Sequence, residues 1–191
     1  VLIRNSIANH GDGFGRELEN ADEVAQGGAQ VWSELIWGKH RDTQKVFYLH
    51  GALPFFDTGT SVIKEEYDSQ NYILENISTR MDDGEYPIFV TAGDGQQKLK
   101  HIMHNQYLTY CYESLCEAEG SLVTFGFNFG KYDNHIIKAI NKAADRKPPN
   151  KLWSIYIGVY SDGDKKHIEK IEGKFKCKVR IYDAKTAPVW G

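Results

Sequence analysis

The chain has 191 residues, of which 41% are hydrophobic and 13% aromatic, and its formal net charge is -3. This length suits one domain with a substantial core and is short for two, so we predict a single α/β domain over residues 1–191. The near-neutral charge offers no broad electrostatic surface to nucleic acid, and no apolar run reaches the roughly 18 residues needed to span a bilayer. Neither nucleic acid nor a membrane is therefore an expected partner.

The three cysteines, Cys111, Cys116 and Cys177, lack the spacing of a metal site. The first two lie in a helical pattern, where they are typical of small buried hydrophobic residues. We expect no metal and no disulfide framework. Because the sequence also has no signal peptide, a reducing cytoplasm fits it best. The oligomeric state stays open, a homo-oligomer included.

The chain begins Val1-Leu2-Ile3-Arg4, without a methionine and inside an apolar pattern of helical spacing. We predict that residues 1–10 form the end of a helix, closed by Gly11-Asp12-Gly13. A helix that starts without a cap or a leading loop indicates a truncation. The chain is therefore expected to be the C-terminal portion of a longer protein.

The next part of the chain predicts two strands. Residues 15–28 are polar and rich in glycine, which indicates a loop. Residues 31–37 alternate as a strand does, and pairing antiparallel to the following strand is one option for them. That following strand, 46–49, ends at His50, and residues 51–57 resemble a turn.

From residue 72 onward, helical and strand patterns alternate. The predicted helices are 72–81, 96–119, one that begins at Asp133, and 164–175; the predicted strands are 87–90, 122–125, 153–159 and 177–182. Alternation of this kind predicts a mainly parallel sheet with helices on both faces, joined by right-handed crossovers. The expected fold is a partial Rossmann-like domain.

His50 is the first candidate for a catalytic residue. It stands where an apolar strand ends and a glycine-permitted turn begins, and the carboxyl ends of parallel strands line the ligand crevice of α/β sheets. Imidazole titrates near neutral pH, which suits a general base. The alternative is a strand-end histidine that only binds a loop carbonyl.

Two glycine-bearing turns are the other candidates. The segment 125–133 joins a predicted strand to a helix, and Gly126 and Gly130 would let the backbone approach a phosphate or a ribose. The alternative is a tight turn in which Asp133 caps the helix. The turn 91–95 follows another strand, so in a parallel sheet both turns and His50 would share one edge.

Three further histidines carry less weight. His101 and His104 are spaced as two metal ligands on a helix, but no third ligand of suitable type lies nearby, so a solvated or packing role is favoured. His135 lies in the first turn of its predicted helix. It either lines the pocket or faces solvent.

Several segments together resemble the sirtuin-like superfamily, most closely a bacterial branch of unknown function. They are Tyr48-Leu49-His50-Gly51-Ala52-Leu53, Tyr86-Pro87-Ile88-Phe89-Val90-Thr91, Lys98-Leu99, Asn105-Gln106-Tyr107-Leu108, Gly126-Phe127-Asn128-Phe129, Asp133 and His135-Ile136. The resemblance spans roughly residues 12–140. Its sharp elements are the His-Gly pair and the Gly-x-Asn-x-x-x-x-Asp spacing.

The resemblance implies roles for particular residues. His50 would be the general base that acts on the nicotinamide ribose, and NAD would be the substrate. Cofactor-binding positions would fall on Gly51, Gly126, Asn128 and Asp133. Related bacterial domains cleave NAD in phage defence, or bind nucleotide without deacetylating a protein.

The chain also departs from the superfamily pattern. The opening glycine-rich phosphate motif would lie upstream of Val1, and no four-cysteine zinc module is present. We therefore expect an NAD glycohydrolase when the protein is full length, with this portion inactive alone. The alternative is a catalytically silent nucleotide-sensing or protein-interaction domain.

Overall fold

The computed structural model describes residues 2–3, 11–19, 22, 28–67 and 72–187. The chain divides into two compact units. The first consists of residues 1–91 and 102–111, and the second of residues 92–101 and 112–191. Each unit has its own sheet, so each is described by itself.

The described part of the first unit contains several short strands and a helix. These are β1 (Leu2–Ile3), β2 (Phe14–Gly15), β3 (Leu35–Trp37), β4 (Val46–Phe47), β5 (Gly51–Asp57), β6 (Val62–Lys64), helix α1 (Ile73–Asp82) and β7 (Pro87–Phe89), with a 3-10 turn at Arg41–Thr43. Five strands form an antiparallel sheet in the order β2-β3-β6-β5-β7, and β1 pairs antiparallel with β4.

Strand β5 is central to the first unit because both of its faces are buried. Phe55 packs against the rings of Phe14 and Tyr107, with centroids 4.8 and 5.2 Å away. Phe56, the next residue, points to the other face and joins Ile63 and Ile77 in a second buried cluster. Alternate side chains of a strand point to opposite faces, so one strand anchors two cores.

Two helices cross the division between the units. Helix α2 is Gly95–Met103 and helix α3 is Gln106–Cys116. Asn105 interrupts the single long helix that the sequence pattern predicts. Its side-chain oxygen accepts from the backbone N–H of Leu108 at 3.1 Å, and its amide nitrogen donates to Asp57 at 2.8 Å. Asn105 therefore acts as a cap, as asparagine commonly does at a helix start.

The second unit has a three-stranded parallel sheet. Its elements are β8 (Gly120–Thr124), α4 (Asn134–Asp145), β9 (Leu152–Val159), α5 (Asp162–Ile171) and β10 (Lys178–Asp183), with 3-10 turns at Glu172–Lys174 and Ala184–Thr186. The strand order is β8-β9-β10. Successive right-handed crossovers in one direction place both helices on the same face. That face is buried, with Ile155 and Ile157 at its centre.

The prediction of a mainly parallel sheet is wrong. The larger sheet is antiparallel, and only the sheet of β8, β9 and β10 is parallel. Strand β7, which falls in the predicted strand 87–90 of the expected parallel sheet, pairs antiparallel with β5 at a sheet edge. Residues 51–57, predicted as a turn, are β5 itself. Pairing on both sides and burial of two phenylalanines outweigh the local turn preference of Gly51 and Pro54.

The start of the chain also differs from the prediction. Leu2 and Ile3 pair as a strand with Phe47 and Val46 instead of continuing a helix. The other residues of the predicted 1–10 helix lie outside the described part of the chain. Within that part, every helix is too short or too polar to span a bilayer.

Candidate functional site

His50 lies in the turn between β4 and β5, in the first unit. The N–H of Gly51 donates to the carbonyl of Tyr48 at 2.9 Å, and the carbonyl of His50 accepts from Val90 at 2.9 Å. The imidazole is half-buried. Since β4 and β5 both pair antiparallel, the expectation that His50 stands at the carboxyl edge of a parallel sheet is wrong.

Gly51 has a specific backbone role. Its φ is +75°, and a Cβ there would overlap the carbonyl oxygen of Ile88 and lie 2.8 Å from the carbonyl carbon. Only glycine fits such a close approach without strain. The structure therefore explains Gly51 by the pairing of β5 with β7.

The predicted glycine turn of residues 125–133 lies in the second unit, at the carboxyl end of β8. Gly126 has φ +66° and open space where a Cβ would stand. Asn128 is exposed, whereas Phe129 is buried at φ +52°, an uncommon conformation for a bulky residue. The rings of Phe127 and Phe175 hold Phe129 in place, at centroid distances of 4.7 and 5.2 Å.

Asp133 is the residue before helix α4, as predicted, but its side chain makes no capping hydrogen bond. Its carboxylate instead accepts from the Lys98 ammonium at 3.1 Å, and both side chains are largely buried. This ion pair ties the loop to helix α2. The Asp133 side chain therefore belongs to the ion pair and does not cap α4.

A cleft of ≈ 380 Å³ lies where the two helices begin, and we call it the helix-terminus cleft. It is lined by Asp94, Gly95, Gln96, Lys131, Asn134, His135, Ile137 and Lys138. A Cβ at Gly95 would stand 3.2 Å from the backbone nitrogen of His135 and 3.3 Å from that of Asn134. The start of α2 therefore lies directly against the first turn of α4.

The electrostatics of the helix-terminus cleft favour an anion on its α4 side. Lys131 and Lys138 contribute positive charge, and each helix N-terminus adds a partial positive charge. Asp94 caps α2, accepting from the backbone N–H groups of Gln96 and Gln97 at 2.8 and 2.9 Å. These hydrogen bonds lower the pKa of Asp94 and keep it ionised. An anion would thus contact α4 and the lysines, away from Asp94.

A second cleft, of ≈ 600 Å³, lies at the carboxyl ends of β9 and β10. Its lining residues are Val159, Tyr160, Ser161, Asp162, Lys165, Ile181, Tyr182, Asp183 and Lys185. Here the start of α5 is already occupied, because Ser161 and Asp164 form a reciprocal capping box. Two carboxylates in the first turn of α5 also disfavour a further anion.

The structure brings together only some of the predicted residues. The turn 91–95 and the segment around Asp133 and His135 contribute to the helix-terminus cleft, whereas His50 and Gly51 belong to the first unit. The sequence singled out the turn 91–95, which includes Gly95, and the segment 125–133, which includes Lys131, but Lys138 was missed. An exposed lysine within a helical pattern carries no local signal of a site. Among the described residues, no group of three or more His, Cys, Asp or Glu side chains could hold a metal ion.

Comparison with known proteins gives a family but no activity. No curated protein and no solved structure matches the chain. The sirtuin-like resemblance therefore stays a prediction. A family model matches residues 9–190, nearly the whole chain, and the chain belongs to that family, which is described as Domain of unknown function (DUF4917).

Proposed function

We propose that the protein binds a nucleotide and that the helix-terminus cleft holds the phosphate groups of that ligand. The observation that carries this proposal is the meeting of two helix N-termini beside two lysines. A Cβ at Gly95 would be in contact with the amide nitrogens of Asn134 and His135. Because Gly95 has no side chain, space remains beside these two amides, and we propose that a phosphate oxygen occupies it.

The size of the cleft supports a small phosphorylated ligand. Its volume of ≈ 380 Å³ is at the lower end of the roughly 300–1,000 Å³ that small-molecule sites occupy. This space suits a pyrophosphate with a ribose and leaves a base or nicotinamide outside. The Asn128 side chain is exposed in the loop after β8, and we propose that it contacts a ribose hydroxyl of the ligand.

Calorimetric titration with adenosine, AMP and ADP tests this proposal. We expect affinity to increase with the number of phosphates, because the cleft attracts negative charge. Replacement of Lys138 by Glu should weaken ADP binding about tenfold, whereas Lys142→Glu, on the same helix but outside the cleft, is the matched control. Equal losses of ADP affinity in the two variants, or equal affinity of the protein for adenosine and ADP, would contradict the proposal.

NAD hydrolysis with His50 as general base is the second candidate function, and the sirtuin-like sequence resemblance favours it. Nicotinamide release from NAD by the protein tests it. A His50→Ala variant should lose at least 100-fold in rate, since general bases typically contribute 10²–10⁴-fold. His101→Ala, which removes an exposed imidazole elsewhere, should keep the wild-type rate. Absence of release in the wild type supports the silent nucleotide-sensing alternative.

A further inference from the structure

The parallel sheet of the second unit is covered by helices on one face only. The other face, which we call the open face, presents Ser121, Val123, Trp153, Ser154, Tyr156, Gly158, Lys178, Arg180 and Tyr182. Val123, Trp153 and Tyr156 are 63%, 52% and 40% exposed. Parallel sheets are usually buried on both faces, so exposed apolar side chains on this one require an explanation.

Strand register orders the open face into rows. Val123, Tyr156 and Arg180 are paired neighbours across the three strands. Ser121, Ser154 and Lys178 form the adjacent row, in which the two serine hydroxyls lie 2.9 Å apart. Paired residues project from the same side of a sheet. Each of these rows therefore ends in a cation on β10.

Aromatic rings occupy both ends of the open face. Trp153 is the extra residue where the β8–β9 register shifts, and the ammonium of Lys151 lies 4.9 Å from its ring centroid. At the other end, the Tyr182 ring lies over Gly158 and its hydroxyl donates to the carbonyl of Thr124 at 2.9 Å. None of the nine residues of the open face is acidic.

Net charge differs sharply between the two units. The second unit has 16 Lys and Arg against 11 Asp and Glu, a net charge of +5, whereas the first has 7 against 15, a net charge of -8. The net charge of the whole chain is -3, and the expectation that nucleic acid is not a partner rests on that value. The whole-chain charge conceals the difference between the two units. A basic unit that presents aromatic rings between cations is typical of nucleic-acid binding.

We propose that the open face binds single-stranded nucleic acid. Unpaired bases would stack on Tyr156 and Trp153, and Lys178 and Arg180 would contact the phosphates. A sheet face with exposed rings suits single strands because the bases of a duplex are stacked on one another and inaccessible. A second copy of this face is a poor occupant, since its cations would repel those of the first. The open face shares no residue with the helix-terminus cleft, so the two proposals stand independently.

Fluorescence anisotropy with a labelled 12-nucleotide oligo(dT) tests the open face, using the full chain. We expect saturable binding that weakens with salt, with a slope of log affinity against log salt of roughly -1.4 for two phosphate contacts. A 12-base-pair duplex should bind more weakly. Tyr156→Ala should weaken binding about tenfold, whereas Tyr156→Phe keeps the stacking ring and the affinity.

A charge-matched pair locates the binding surface. Arg180→Glu and Lys166→Glu change the net charge equally, but Lys166 is an exposed residue of α5, which packs on the other face. We expect loss of binding, by tenfold or more, for Arg180→Glu only. Equal losses in both variants, unchanged binding by Tyr156→Ala, or a preference for duplex would overturn the proposal. So would self-association through this face, detected by sedimentation as a dimer that Tyr156→Ala abolishes, without oligonucleotide binding.

Discussion

Gly51 lies against Ile88 so closely that any side chain at position 51 would overlap the Ile88 carbonyl group. The resemblance implied a cofactor-binding role for Gly51, but the contact itself shows a requirement of the antiparallel pairing between β5 and β7. Gly51 would be needed even in a protein that binds no ligand.

Replacing Gly51 with Ala should therefore destabilise the protein. We expect a loss of about 2–4 kcal/mol in the free energy of unfolding, because the change combines a left-handed φ with a backbone clash. Urea denaturation measures it. Gly59→Ala is the control, because Gly59 has φ +83° but open space around it, and it should cost only about 1 kcal/mol. Similar losses in the two variants would show that the clash with Ile88 is relieved.

Arg80 is the centre of an ion-pair cluster in the first unit. Its guanidinium donates to Glu65, Glu34 and Glu85, the last at 2.9 Å. Burial opposes the charged form of Arg80, but the hydrogen bonds that its guanidinium donates to these carboxylates outweigh burial and raise the pKa of Arg80. The cluster joins helix α1 to the segments that carry Glu34 and Glu65.

Arg80→Gln should cost about 2–3 kcal/mol at neutral pH, because it leaves three neighbouring carboxylates without their cation. The deficit should be smaller when Arg80→Gln is made in a Glu65→Gln background, which leaves one fewer carboxylate unpaired. Lys176→Gln removes an exposed pair with Asp145 and should cost less than about 1 kcal/mol. A deficit of the same size in both backgrounds, measured by urea denaturation, would exclude carboxylate repulsion as the cause.

Cys111 gives the first unit a specific alkaline sensitivity. Its thiol is fully buried, and that burial raises its pKa from 9.0 to about 12. Above pH 9 the unfolded chain loses this proton while the folded protein keeps it, so stability falls as pH rises from about 9 towards 12.

Cys111→Ala should remove part of this pH dependence. Between pH 8 and pH 10, the wild type should lose about 1 kcal/mol more free energy of unfolding than the variant. Urea denaturation at the two pH values gives the comparison. An identical pH dependence in both proteins would mean that the Cys111 thiol ionises as readily in the folded protein as in the unfolded chain.

Local patterns predicted the second unit better than the first, and the reason is physical. Strand β9 has an apolar run and helix α4 an apolar stripe, each complete within one short stretch of sequence. Strand β5 contains Gly51 and Pro54, and its strand conformation depends in part on pairing with β7, Pro87–Phe89, which is distant in the sequence. A sequence window of a few residues contains little information about pairing with a distant segment.

The candidate site was predicted in part for the same reason. The turn near Gly95 and the helix that begins after Asp133 each have a local signal, and they meet in one cleft. The role of Lys98 as the partner of Asp133 depends on tertiary packing, so the capping hydrogen bond predicted for Asp133 is absent. His50 was assigned to a shared sheet edge on the assumption of a parallel sheet, which the antiparallel pairing of its strands contradicts.

The most direct test of nucleotide binding is a ¹⁵N–¹H NMR titration of the protein with ADP. The account predicts that the backbone amides of Asn134 and His135 show the largest shifts, that they saturate together, and that Lys138→Glu weakens the response. Inorganic pyrophosphate should shift the same two amides. Shifts confined to other parts of the chain, or none at millimolar ADP, would contradict the proposed phosphate site.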